Sequence, residues 1–155
     1  MTSLWERPGY LIRRLHQIHV AIFLEECAAY NITPVQYAVM TALLNRPDSD
    51  QITIAQDAGI DRTNVADVLA RLEQRGLVIR RRSDADRRMR IAALTENGLR
   101  ISRDMEHASL HAQEKLMEPL TPEKRETLMK LMTELVEANN DFSRAPARLQ
   151  AEAAE

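Results

Sequence analysis

The 155-residue chain has one cysteine, four glycines and an aromatic content of only 4%. A lone thiol, Cys27, excludes an intramolecular disulfide framework and points to a reducing compartment. Scarce glycine and few aromatics, beside 45% hydrophobic residues, favour helices over a sheet sandwich. No run approaches the roughly 18 apolar residues of a membrane span. The opening stretch from Met1 to Pro8 carries no apolar segment of signal-peptide length. A soluble, cytoplasmic protein with no membrane partner is expected. Also missing are a Gly-rich phosphate loop, a nucleophile elbow and a clustered catalytic triad. The carboxylates Glu25 and Glu26 are adjacent and diverge on a helix, so neither an enzyme nor a cofactor is expected.

A surplus of positive charge is lacking too, since the formal net charge is −2. Its distribution says more than its sum. From Arg71 to Arg90 eight arginines meet three acids, a local surplus of five positive charges; from Asp104 onward eleven acids meet six bases. A basic middle beside an acidic C-terminal part is the footprint of a nucleic-acid binder, although a charge run is also compatible with a solvated surface.

The length suits one domain. After the breaker pair Pro8-Gly9, Leu11, Leu15, Ile18 and Ile22 recur at helical spacing, predicting a first helix to about Tyr30. Thr33-Pro34 is a helix start, and Val35, Val39, Ala42 and Leu43 line one face until Arg46-Pro47-Asp48. A polar loop, Asp48-Ser49-Asp50, precedes a short helix from Ile54 to Ala58. Gly59 breaks it, and Asp61 caps a helix from Arg62 to about Arg75, closed by Gly76. Leu77–Arg80 and Arg90–Leu94 read as strands around a polar hairpin connection. Thr95 opens a helix to about Met117, Pro119 ends it, and Thr121-Pro122 starts a last helix carrying Leu128, Leu131, Leu135 and Val136 to about Phe142. Residues 143–155 are expected to fray.

Short helix, glycine turn, helix, strand, hairpin, strand is the order of a winged helix-turn-helix. Ala55 is small where two helices approach, Gly59 takes a positive-φ turn, and Ile60, Val65 and Val68 plug the interface. The outward face of the second helix is then Arg62, Thr63, Asn64, Asp67 and Arg71. Such a helix presents its first residues to base edges in the major groove. Arg suits guanine, Asn adenine, and Thr a base or the thymine methyl. Asp67 accepts from cytosine or orients Arg71. Arg87 and Arg88 at the hairpin tip fit the minor groove, while Arg80, Arg81, Arg82 and Arg90 can reach phosphates. Asp84 and Asp86 either brace these arginines or serve turn chemistry. A helical hairpin with a merely polar outer face is the bland alternative.

The stretch Asp84-Ala-Asp-Arg-Arg-Met-Arg-Ile-Ala-Ala-Leu94-Thr95-Glu-Asn-Gly98 resembles the wing signature of the MarR family of bacterial regulators. Asp61-Arg-Thr-Asn-Val and Leu72-Glu-Gln-Arg-Gly-Leu-Val78 are similar to its recognition helix and exit. The likeness runs from about Tyr10 to Phe142. It implies a mainly α fold with a small two- or three-stranded β-wing, and a homodimer joined through helices at 10–31 and 96–142 around a DNA-binding lobe at 33–94. It also implies a pseudo-palindromic operator about one DNA turn between recognition helices, bound by a repressor that a small ligand releases. The apolar face of the last helix independently suits packing between chains. The segment Arg7-Pro-Gly-Tyr-Leu-Ile-Arg-Arg-Leu-His-Gln-Ile-His19 is similar to members controlling breakdown of aromatic acids. An aromatic carboxylate needs a cation and an apolar slot, making Arg13, His16, His19, Tyr37 and Met40 candidate ligand contacts. Each of the five also reads as ordinary core or surface packing, and Arg14 as an interhelical salt bridge.

Within this fold a zinc-responsive regulator is the rival. His16 with His19, and His107 with His111, can each share a helix face, and Cys27, Glu25, Glu26 or Glu106 could complete four ligands. No segment has a compact metal motif. Redox sensing rests on Cys27 alone, whose acidic neighbours raise its pKa.

Overall fold

The computed structural model describes residues 2–147. The first helix, α1 (Pro8–Glu26), begins at Pro8 itself. Pro8-Gly9, read from sequence as a breaker, is the first turn, where proline's missing N–H costs nothing. The helix also stops earlier than Tyr30: Ala28–Tyr30 is a 3-10 turn closed by Asn31 in the left-handed conformation, φ 51°. A capping box between Thr33 and Gln36 opens α2 (Pro34–Asn45).

Ser49–Asp50, expected as loop, forms a two-residue strand β1. The Asp50 side chain then accepts from Thr53 N–H at 2.7 Å and starts α3 (Gln51–Ala58), three residues earlier than expected. Gly59 ends it at φ 64°, and Asp61 caps α4 (Arg62–Gln74). Strands β2 (Val78–Arg82) and β3 (Arg90–Leu94) follow. They pair antiparallel with Val78 opposite Leu94 and Arg82 opposite Arg90. Because β1 pairs with the other edge of β3, the sheet has three strands in the order β1-β3-β2.

Thr95 caps α5 (Glu96–Met117), and Thr121 caps α6 (Pro122–Asn139), with a 3-10 turn at Asn140–Phe142. The core joins Phe23, Ile32, Val39, Met40 and Leu43 to Ile54, Val65, Leu69, Leu72, Leu77 and Met105. Between α1 and α5, Glu26 meets His111 at 2.8 Å and Lys115 at 2.9 Å, and Tyr30 Oη donates to the Asp104 carbonyl at 3.0 Å. These ties secure the C-terminal half of α1 and leave Leu11, Ile12, Leu15 and Ile18 exposed. Helix α6 buries none of its residues; Leu131, Leu135 and Val136 are 53%, 60% and 60% exposed.

Within the segment expected to fray, residues 143–147 form no helix or strand. The Asn140 amide brackets the backbone of Ala147, donating to its carbonyl at 2.9 Å and accepting its N–H at 3.0 Å. The rest of that expectation, residues 148–155, lies outside the described residues.

Candidate nucleic-acid interface

Helix α4 is amphipathic in the sense a reading helix requires. Val65, Leu69 and Leu72 are buried, while Arg62, Thr63, Asn64, Asp67 and Arg71 are all exposed on its other side. Its approach to α3 is set by Ala55, Ile60 and Val68, partly buried against the core, and by Ile60 N–H donating to the Ala55 carbonyl at 3.0 Å. The five positions named from sequence are therefore all open to solvent.

The wing is braced by its own polar groups. Ser83 N–H donates to the Met89 carbonyl at 2.9 Å, and Met89 N–H to the Asp86 carbonyl at 2.9 Å. Ser83 Oγ accepts from Ala85 and Asp86 N–H. Asp86 accepts from the Arg88 backbone N–H at 3.0 Å, so of its two readings turn chemistry is the one observed. Asp84 lies 3.5 Å from Arg81, whose other terminal nitrogen reaches Asp48 at 3.1 Å. That pair ties the wing to the segment before α3.

Arg82, Arg87, Arg88 and Arg90 are exposed, and among the described residues no carboxylate pairs with them. Arg62, Arg88 and Arg90 converge with Asp50, Gln51, Ile52 and Met89 on a notch of about 250 Å³ between α4 and the wing. Arg80, expected among the phosphate contacts, is instead held by Glu73 at 2.6 Å. Hydrogen bonds from Arg80, and its charge, hold the Glu73 carboxyl below the usual carboxylate range. Sequence reading passed over Glu73, Asp48 and Arg75. The last donates to the carbonyls of Asn31 at 2.6 Å and Tyr30 at 2.9 Å, fastening the end of α4 to the 3-10 turn that follows α1. No local pattern announces such contacts, although Glu73 and Arg80 do flank a glycine turn.

The candidate ligand residues stand in different settings. Arg13 stacks over the Tyr10 ring at 5.4 Å, and His16 is exposed. His19, Phe23 and Tyr37 run in a row, with ring centroids 6.3 Å and then 5.8 Å apart. Burial, then the charge of His16, lowers the pKa of His19. Met40 is fully buried in the core. Arg14 donates to Gln17 at 2.7 Å, so the salt bridge expected there is an intrahelical hydrogen bond. Among the described residues no three His, Cys, Asp or Glu side chains gather to hold a metal. Burial, then Glu26, raises the Cys27 thiol pKa, the reverse of what a reactive sensor needs. No helix among the described residues is long and apolar enough to cross a membrane.

A helix-turn-helix with an arginine-bearing three-stranded wing defines a winged helix-turn-helix DNA-binding regulator, not an enzyme. The MarR family model matches residues 32–89, from the residue before the α2 cap to the wing tip. The chain is 32% identical over 136 residues to the transcriptional regulator HosA of Escherichia coli O111:H-, covering 88% of this chain and 99% of that protein. The PcaV transcriptional regulator of Streptomyces coelicolor, solved with its natural ligand, superposes with a TM-score of 0.81 at 31% identity, over 89% of this chain and 97% of that one. Bordetella bronchiseptica BpsR, whose DNA binding is regulated by 6-hydroxynicotinic acid, gives 0.82 at 27% identity, over 87% and 96%. The chain belongs to the MarR family.

Proposed function

We propose that the protein is a homodimeric repressor that binds a pseudo-palindromic operator and is released by a small aromatic acid. The observation that carries the DNA part is that Arg62, Thr63, Asn64, Asp67 and Arg71 of α4 and the wing arginines Arg82, Arg87, Arg88 and Arg90 are all exposed, with Arg62, Arg88 and Arg90 lining one notch. Helix α4 enters the major groove, the wing tip the flanking minor groove, and the notch of Arg62, Arg88 and Arg90 seats a backbone phosphate between them. Residues 33–94 are the reading lobe, and helices within 10–31 and 96–142 make the dimer. The support for dimerisation is an apolar face that its own chain leaves uncovered: Leu11, Ile12, Leu15 and Ile18 of α1 with Leu131, Met132, Leu135 and Val136 of α6. Patches of this extent mark interaction surfaces.

That a small ligand acts is supported by the PcaV and BpsR likenesses; that it is an aromatic acid is supported by BpsR and by the His19–Phe23–Tyr37 row, which offers an imidazole beside aromatic faces. His16 and Arg13, about one and two turns earlier than His19 on α1, add an imidazole and a guanidinium on the same helix.

The test starts from a duplex that the protein selects out of a random-sequence library. Arg88→Ala removes one phosphate contact per protomer, so the salt slope of binding falls by about 2 with the dimer intact. An unchanged slope and affinity refute the wing assignment. Titrating small aromatic acids, 6-hydroxynicotinic acid included, against the labelled duplex tests the effector; a panel that releases nothing removes that part.

A further inference from the structure

We propose that Glu73 and Arg80 form a brace that fixes the wing relative to the recognition helix, so that Arg80 serves DNA binding without touching DNA. The proposal rests on the DNA-binding reading above. Glu73 sits in the last turn of α4, two residues beyond Arg71; Arg80 is the central residue of β2. One carboxylate takes three donors from that single arginine: Nη2 at 2.6 Å, Nε at 3.0 Å and the backbone N–H at 3.3 Å. The pair is the better shielded for being half covered, with side-chain exposures of 24% for Arg80 and 39% for Glu73. Both guanidinium donors converge on Glu73 Oε2 while Oε1 takes the Arg80 backbone N–H, a two-point attachment that fixes the angle between strand and helix as well as their distance.

The connection between the two elements does not fix that angle alone. It is three residues long, Arg75 to Leu77, and turns on Gly76 at φ 68° with open space around its α-carbon. At its base the wing is held by Thr95, which donates to the Gly76 carbonyl at 2.7 Å. On its far side it is held by Arg81 and Asp48. Nearer the base the two elements also meet through Leu77 N–H on the Leu72 carbonyl at 3.0 Å and through Val78 in the core with Leu69 and Leu72; Glu73 adds a polar contact to the middle of the strand. The spacing of the two DNA-contacting parts therefore depends on it, and Arg80 as a positioning residue accounts for a cation that faces a carboxylate instead of solvent.

The sign of one variant separates this from simple electrostatics. Glu73→Gln removes a negative charge from the basic surface, and charge alone calls for tighter binding. The brace calls for weaker binding to the wild-type-selected duplex, by about tenfold, with minor-groove protection lost under the wing and major-groove protection under α4 retained. Arg80→Lys, which keeps the charge and loses the fork, weakens binding similarly at an unchanged salt slope. A slope reduced by about 2 in Arg80→Ala identifies a phosphate contact and overturns the proposal, as does binding by Glu73→Gln equal to or tighter than wild type. A readout without DNA separates the two claims: in free Glu73→Gln, or in Arg80→Lys should that variant not fold, amide exchange at Arg81, Arg82 and Arg90 accelerates. If wild type selects no duplex, the DNA reading falls and exchange alone decides the brace; unchanged exchange refutes it.

Discussion

Replacing Gly98 by alanine tests how the wing is joined to α5. Gly98 lies in the first turn of α5, where its N–H donates to Thr95 Oγ1 at 3.0 Å. Thr95 in turn donates through its N–H to the Leu77 carbonyl at 3.0 Å and through Oγ1 to the Gly76 carbonyl at 2.7 Å. A β-carbon on Gly98 would stand 2.0 Å from the Leu77 carbonyl oxygen and 3.0 Å from its carbon. Ordinary carbon–oxygen approach is about 3.3–3.6 Å, so α5 must withdraw by more than an ångström and both Thr95 bonds stretch. Overpacking of this kind costs about 2 kcal/mol, the two hydrogen bonds contribute about 1 kcal/mol each, and alanine's helix preference offsets about 1 kcal/mol. A net loss of about 3 kcal/mol lowers Tm by roughly 6–12 °C in a chain of this size. Circular dichroism melts of wild type and Gly98→Ala at matched protein concentration read it directly. A variant that melts at or above the wild-type temperature, as helix propensity alone would have it, refutes the packing argument.

The paired substitution Leu131→Glu, Leu135→Glu places charge on the uncovered face of α6 and should weaken self-association by a hundredfold or more; sedimentation velocity showing an unchanged dimer would refute that interface. Glu26 is held below the usual carboxylate range by hydrogen bonds from Lys115 and then His111. A carboxyl depressed on folding stabilises above its unfolded pKa of about 4.3, and that contribution disappears as pH falls through the lower folded value. The Tm gap between wild type and Glu26→Gln should accordingly close as pH falls below that range. A gap that persists at the acid end contradicts the ion-pair account. Cys27, buried and raised in pKa, should react with a thiol reagent only on unfolding, and rapid labelling of the native protein would count against its burial.

Periodicity and caps made most of the helices legible. Thr33, Asp61, Thr95 and Thr121 each accept from a backbone N–H at the start of the helix they announce, because the capping hydrogen bond is local in sequence. Gly59 and Gly76 also take the positive φ their positions imply. What escaped was nonlocal. Ser49 and Asp50 have no strand-forming character and pair only because Ala92 and Ile91 present an open edge. Pro8 looked like a stop because proline's effect depends on whether it stands inside a helix or at its first turn. The exposed face of α4 was readable from spacing, whereas the fate of each wing arginine was not. Composition counts Arg80 with the free cations, and only the fold brings Glu73 within reach of it. For the same reason Met40 was available as a ligand contact in sequence and is core in space.

The hydrogen bonds inside the wing tip bear on the thermodynamics of recognition. Ser83–Met89 is held in shape by its own backbone, Ser83 and Asp86, before any duplex arrives. Each residue so fixed removes about 1–2 kcal/mol of backbone ordering from the cost of association. If the proposed function holds, what is left to immobilise on the duplex is side chains such as those of Arg87 and Arg88, at up to about 2 kcal/mol each. On the proposed reading, docking of the wing would thus be a rigid-body event, its entropy change governed by released counterions and guanidinium arms rather than by the folding of a loop.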